Sequence, residues 1–261
     1  MTHIHPTAVI EDGARIGEGC TIGPYCTIGP HVEIGGGCTL HSHVVLSGYL
    51  RLGKDCEIFP FACLGMQTQD LKFEGDITYA TIGDRTVIRE YVTVNAATTA
   101  GASTIVGSDC LIQSYCHIAH ECNIGNHVIM SSAAMLAGHV TLEDYAIIGG
   151  HTGIVQFVRV GQHAFVGGYT KLAGDVLPFS IVEGVPAATR GINKVGLKRR
   201  DFSPEQIDAI AEAHQLIMTS PTVAGGNKAA LAAHPENADI AAMAAFSKGS
   251  KCPLVRRTKS D

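Results

Sequence analysis

The chain has 261 residues, 46% hydrophobic and only 16% charged, with 30 Gly, no Trp and a formal net charge of −5. That much apolar material excludes a disordered chain, the acidic balance speaks against a nucleic-acid binder, and no apolar run approaches the ~18 residues of a membrane span. The opening MTHIHPTAVIEDGARIG has no basic stretch followed by an apolar one and does not read as a signal peptide, and the nine cysteines form no CxxC pair. The expectation is a cytoplasmic enzyme or binding protein whose thiols stay free in a reducing compartment.

From Ile4 onward the sequence repeats every six residues. The positions read Ile4, Ile10, Ile16, Ile22, Ile28, Ile34, Leu40, Leu46, Leu52, Ile58 and Leu64, then Ile82, Ile88 and Val94, then Val106 without a break to Leu172. Of 29 positions in phase, 26 are aliphatic; Asp70, Asp76 and Ala100 are the exceptions. A period of six suits neither a helix nor an alternating strand. It suits a two-residue strand and a tight turn, three of which make one triangular coil of 18 residues, and stacked coils make a left-handed parallel β-helix. The aliphatic residue points inward. So does the residue two places earlier, where space is small: Ala14, Cys20, Cys26, Cys38, Cys56, Ala62, Cys110, Cys116, Cys122, Ala134, Ala146 and Ala164. Seven cysteines therefore read as small buried side chains and not as metal ligands.

The three exceptions mark excursions over 66–80 and 96–104, natural walls for a pocket on an otherwise regular prism. Residues 1–189 carry 8 Lys and Arg against 17 Asp and Glu, whereas 190–261 carry 11 against 7 and turn Ala- and Lys-rich. This divides the chain into a β-helix over 1–190 and a helical part over 191–261. Ser203-Pro204-Glu205-Gln206 predicts a capped helix start with Ile207, Ile210, His214 and Ile217 on one face, and a second, Ala-rich helix is predicted over 227–246.

Among the 13 histidines, the segment His117-Ile118-Ala119-His120-Glu121 stands out. Ile118 is inward, so His117 and His120 flank it. One coil beyond His120 comes Gly138, beside His139, and one coil further comes Gln156. With coils ~4.8 Å apart, His120, Gly138 and Gln156 form one column: a base, a peptide N–H free to approach a ligand, and an amide. The patch admits three readings. In acyl transfer, a histidine deprotonates a hydroxyl or amine and a backbone N–H stabilises the oxyanion, with no cofactor and no metal. In a zinc hydratase, His117, His120 and His139 would hold the ion. In a scaffold the patch does no chemistry.

The segments IHPTAVIEDGARIG, IGPHVEIG, QDLKFEG, IGDRTVIRE, HIAHECNIGN, LAGHVTLEDYAIIGG and GINKVGLKRRDFS resemble, in order and spacing over nearly the whole chain, the acyl-ACP–UDP-N-acetylglucosamine O-acyltransferases, which begin lipid A synthesis. The resemblance implies a homotrimer with active sites between subunits, acyl-ACP as donor and a UDP-sugar as acceptor. It places the general base on His120, followed by Glu121 where the family usually has Asp, and the oxyanion N–H on Gly138. His117 and His139 fall on substrate contacts, and Asp70 and Lys72 on sugar-nucleotide and pantetheine-side contacts. Gln156 falls on a nucleotide or acyl-side contact, Gly168 on the acyl-length ruler, and Asn193, Arg199 and Arg200 on nucleotide and phosphate contacts. An extended backbone would send the Glu121 and His120 side chains apart, so the carboxylate is expected to reach the imidazole only across a corner of the coil.

Three departures bear on the acceptor. Val155-Gln156-Phe157 stands where the family often reads HQF, Val94-Asn95-Ala96-Ala97-Thr98 where it often reads IHRGT, and Val195 replaces a Glu near the nucleotide. A UDP-2,3-diamino sugar, acylated on nitrogen by the same mechanism, is the alternative acceptor.

Overall fold

The protein is described here by a computed structural model covering residues 1–248 and 251–256. Up to Leu172 the strands are nearly all two residues long, and each pairs in parallel with the strand one coil on. Ile4 registers with Ile22, Ile10 with Ile28 and Ile16 with Ile34. Three sheets result, of 11, 9 and 8 strands, forming the faces of a left-handed parallel β-helix. Sheet one carries Ile4, Ile22 and their successors to Val166; sheet two carries Ile10 to Leu172 through Ile118, Leu136 and Ile154; sheet three carries Ile16 to Val160. The in-phase aliphatics from Ile22 to Leu172 are buried and form one continuous core.

The period of six is made at the corners. The residue three past most inward aliphatics turns the chain with a left-handed backbone: φ is +59° at Tyr25, +60° at His43, +60° at Tyr91 and +62° at Tyr145. Such a conformation costs a side chain of this size about 1–2 kcal/mol. Stacking offsets it, because every corner lies one strand spacing from the next. Along the edge between sheets one and two, Tyr25, His43, Phe61, Tyr91 and Tyr115 form a ladder with ring centroids 4.8–5.0 Å apart.

The small inward position has a second role. Cys20, Cys26, Cys38, Cys56, Cys110, Cys116 and Cys122 are buried and unpaired. Each thiol donates to a corner carbonyl of the next coil, for example Cys26 Sγ to His41 O at 2.8 Å and Cys122 Sγ to Ala137 O at 3.2 Å. Thr86 and Thr152 do the same with hydroxyls. A buried carbonyl left without a donor would cost about 1–3 kcal/mol, so these side chains both fit the corner and satisfy it.

The chain leaves the prism between Met66 and Tyr79 and again between Asn95 and Ser103. Both departures occur where sheet two hands over to sheet three. As a result Leu64 pairs with Val94 and Val94 with Ile118, longer steps than the 18 residues of an uninterrupted coil. After Leu172 an antiparallel pair, Ser180–Glu183 with Ala188–Ile192, leads to four helices: α1 (Lys194–Lys198), α2 (Pro204–Thr219), α3 (Val223–Ala233) and α4 (Ala238–Phe246). The Ser203–Gln206 capping box starts α2 as predicted. The single helix predicted over 227–246 is instead two, α3 and α4. Pro235 cannot continue a helix, and the Asn237 side chain caps α4 by accepting from the N–H groups of Asp239 and Ile240. The chain then returns to the prism, where the Asp175 N–H donates to Pro253 O (2.9 Å) and the Val255 N–H to Asp175 O (2.8 Å). Among the described residues no helix is long and apolar enough to cross a membrane.

Burial pushes three of the inward thiols up, to about 11 for Cys110 and Cys116 and about 12 for Cys122, and the thiolate is the reactive form. A thiol reagent at pH 8 is therefore expected to leave all seven unlabelled in native protein and to label them on unfolding. Mass spectrometry of the labelled protein reads the outcome.

Candidate active site

Both excursions leave the prism at the corner between sheets two and three, the corner that also carries His120, Gly138 and Gln156. They overhang it and are tied together, Thr68 Oγ1 lying 2.8 Å from Thr98 Oγ1. Between them and the prism is a cavity of about 440 Å³ whose walls include Asp70, Lys72, Thr98, Thr99, Glu121 and His139.

His120 is buried, and its ring is held from three sides. Its Nδ1 donates to Glu121 Oε2 at 2.5 Å. Its Nε2 lies 3.7 Å from Asp70 Oδ2. Beneath it is Gly138, where an added Cβ would run into the imidazole; the ring occupies the space that only a glycine leaves. His139 meets His120 edge-on with centroids 5.2 Å apart. Because a carboxylate can only accept, the Glu121 bond fixes the proton on Nδ1 and leaves the Nε2 lone pair on the side of Asp70.

The sequence neighbours do not diverge as an extended backbone would require. Glu121 is the corner residue of its coil, with φ +50°, and the turn brings its carboxylate back onto the His120 ring. Its other oxygen accepts from the Thr98 and Thr99 N–H groups at 3.0 and 2.8 Å, so the same side chain anchors the 96–102 loop. Burial alone would push this carboxyl up, but the Thr99 N–H, the His120 imidazole and the Thr98 N–H outweigh it and hold it below the ordinary 4.5.

The Gly138 N–H belongs to the Ala137–Gly138 peptide. The carbonyl of that peptide accepts from the Cys122 thiol, which reaches it from the prism interior one coil earlier, at 3.2 Å. At the equivalent corner position of other coils a side chain accepts the outward N–H, as Asp144 does from Asn126 and Asn126 does from Ser108. Gly138 has no such acceptor among the described residues, and its N–H is left for a ligand.

The structure brings Asp70, His120, Gly138 and His139 together, with Lys72 exposed on the loop above and Gln156 exposed one coil further. His117 is next along the same strand and half-buried, its Nδ1 2.7 Å from Thr93 Oγ1; burial and then the nearby His120 hold it below the ordinary histidine value. Among the described residues the metal-capable atoms within 4.8 Å of one another belong to His120, Glu121 and His139, and His117 is not among them.

The remaining predicted residues occupy other edges of the prism. Gly168 is exposed at the corner between sheets one and two. Asn193 is buried as the cap of α1, accepting from the Gly196 N–H and donating to His163 O, each at 3.0 Å. Arg200 lies 4.9 Å over the Tyr145 ring, at the corner between sheets three and one, while Arg199 is exposed at the end of α1. Sequence reasoning missed Thr93, Thr98, Thr99 and the thiol of Cys122 as supports of this site.

Comparison with known proteins finds relatives over nearly the whole chain. A model of the UDP-N-acetylglucosamine O-acyltransferase second domain matches residues 175–255, and one of bacterial transferase hexapeptide repeats matches 1–30 and 13–48. The UDP-N-acetylglucosamine acyltransferase of Francisella novicida is 33% identical, over 98% of this chain and 95% of that one, with a TM-score of 0.92. That of Bacteroides fragilis is 34% identical over 97% and 100%, with a TM-score of 0.93. The Arabidopsis enzyme is 31% identical over 96% and 99%, with a TM-score of 0.81.

The double role of Glu121 gives a pH-dependent expectation. Its folded value is depressed, so its contribution is complete above 4.5 and is lost as pH falls through the lower folded value. Glu121→Ala should cost about 1–3 kcal/mol at pH 7 through the lost loop and imidazole bonds. The Tm difference from wild type should then shrink progressively below pH 4.5.

Proposed function

Since the chain belongs to the UDP-N-acetylglucosamine O-acyltransferase family and is an acyltransferase, we propose that it transfers a (3-hydroxy)acyl group from acyl-ACP to the sugar 3-position of UDP-N-acetylglucosamine, the first step of lipid A biosynthesis. The observation that supports the mechanism is the pairing of His120 Nδ1 with Glu121, which leaves Nε2 as the proton-accepting nitrogen beside the loop that carries Asp70. His120 Nε2 takes the proton of the acceptor hydroxyl as its oxygen attacks the thioester carbonyl. The imidazolium that forms is stabilised by Glu121. Negative charge gathers on the carbonyl oxygen, where the Gly138 N–H is positioned to donate to it. Collapse of the tetrahedral species forms the ester, breaks the C–S bond and returns the proton from His120 to the departing thiolate. Asp70, Lys72, His117, His139 and Gln156 line the approach as substrate contacts.

Support for an acyl group comes from a second cavity, of about 460 Å³, walled by Lys171, Gly174, Pro186, Leu254 and Val255. Gly174 is three coils beyond His120 in the same column, so this largely apolar hollow is about 14 Å along the edge from the base. Support for a homotrimer comes from the dispersal of the site residues. Gly168, Asn193, Arg199 and Arg200 occupy edges of the prism that one copy cannot bring to His120, and a neighbouring copy supplies them. Lys198, Arg199 and Arg200 provide the basic surface for the acidic carrier protein; Arg257 and Lys259 of the basic tail lie outside the described residues.

The diamino-sugar alternative is tied to Asn95, which is buried at the root of the 96–102 loop with its Nδ2 donating to Gln67 O at 3.2 Å. It changes the atom that attacks and leaves the mechanism intact. Mass spectrometry of products formed from mixed acyl-ACPs with UDP-N-acetylglucosamine and a UDP-2,3-diamino sugar decides between the two. An absence of any acylated sugar would overturn the proposal.

His120→Ala should lower kcat by at least ~100-fold with the oligomer intact. Retention of kcat within a few-fold would move the base to His139 or His117. Cys122→Ala tests the support of the Gly138 peptide, since Ala134 and Ala146 occupy the same inward position elsewhere in the prism. It should lower kcat by about 2- to 10-fold at unchanged KM, with Cys122→Ser restoring most of the loss.

A further inference from the structure

The walls of the cavity beside Glu121 and His139 carry the wrong charge for the proposed substrates. Asp70, Glu74, Asp76 and Glu121 place four carboxyl groups around it, against the single ammonium of Lys72. Both substrates bring phosphate. The acyl group hangs from a phosphopantetheine arm, and the acceptor sugar from a diphosphate. Even at the dielectric constant of water, a carboxylate and a phosphate charge 4 Å apart repel by about 1 kcal/mol. A balancing cation has to come from elsewhere in the fold.

The C-terminal segment brings one. Lys251 is exposed, and its Nζ lies 5.1 Å from the centre of the Phe157 ring. Phe157 in turn stacks on His139, with centroids 4.7 Å apart and planes within 13°, and His139 meets His120. The segment behind Lys251 is pinned at several points. It pairs with Asp175 through Pro253 and Val255, Thr189 Oγ1 donates to Val255 O at 2.8 Å, and Arg256 Nη1 donates to Ser220 O at 2.9 Å. The backbone is thereby fixed, while the ammonium stays in solvent over an aromatic face that favours a cation there. The neighbouring Val155 is exposed and offers no polar group to a ligand in that coil. His139 already registers the charge: burial first, and then His120 and Lys251 against the opposing Glu121 and Asp70, hold its imidazole below the ordinary value.

We propose that Lys251 is a substrate-binding residue, its ammonium taking a phosphate of the bound substrate one coil beyond His139, which walls the cavity. The proposal rests on the acyl-transfer reading for the two phosphates that could fill this place, the pantetheine phosphate of the donor and the diphosphate of the acceptor.

Lys251→Glu, Lys251→Met and Lys251→Arg alter an exposed side chain and leave the prism and His120 untouched. Steady-state rates are measured at low ionic strength with acyl-ACP and UDP-sugar varied in turn. Lys251→Glu is expected to raise the KM of one substrate about tenfold and Lys251→Met about threefold, with kcat within twofold, Lys251→Arg near wild type, and the differences fading with added salt. A shift in the donor's KM identifies the pantetheine phosphate and a shift in the acceptor's KM the diphosphate; either supports the assignment. Unchanged KM for both substrates in Lys251→Glu, or a loss confined to kcat, overturns it. Calorimetric titration with UDP and with 4′-phosphopantetheine needs no turnover. If wild type binds either but acylates nothing, the proposed function fails while Lys251 stands or falls on the affinity lost in Lys251→Glu. If wild type binds neither, both fall.

Discussion

A left-handed backbone conformation at most corners is the constraint on which the rest of this protein depends. Without it a two-residue strand could not turn within six residues, and the inward aliphatics would not return to the same face. The site uses the same device. Glu121 and His139 are corner residues, with φ +50° and +60°, and Gly138 precedes one of them. The turn that closes each coil folds the Glu121 carboxylate onto the ring beside it in sequence and sets His139 against His120. The His120–Glu121 pairing is therefore a by-product of coil closure, steadied by the Thr98 and Thr99 amides.

What the sequence made legible follows from where the coils are uninterrupted. From Val106 to Leu172 each step of 18 residues is one rung, so His120, Gly138 and Gln156 could be stacked by counting, and the His139–Phe157 contact follows from the same count. Before His117 the count fails. Val94 registers with Ile118 across the 96–102 loop, so stepping back 18 from His117 lands on Thr99, whereas its true neighbour is Thr93. The two threonine amides that hold Glu121 were hidden for the same reason, since loop geometry is not periodic. The break between α3 and α4 was readable from Pro235 and Asn237, but the run of alanines on either side concealed it.

The thiols show how a correct assignment of position can leave half of the physics out. Volume alone accounts for Cys or Ala at the small inward place. It does not account for the repeated bond from sulfur to the corner carbonyl one coil on. At Cys122 that bond holds the peptide whose other end is the Gly138 N–H, so a side chain buried in the prism orients a group at its surface. The charge pattern has the same logic at a larger scale: an acidic prism forms the cleft, and cations approach from the chain that follows it.

Each coil touches only the coils directly above and below it, so the prism behaves as a one-dimensional array. The segments 67–78 and 96–102 enter and leave at a single corner, and after each of them the chain resumes on an inward position, at Ala80 and Thr104 and then at Ile82 and Val106. Neither segment shifts a rung of the stack. Cavity wall and framework are thus interchangeable modules. A segment of different length or chemistry can be spliced between Met66 and Tyr79, or between Asn95 and Ser103, and the same framework will present it to the same imidazole.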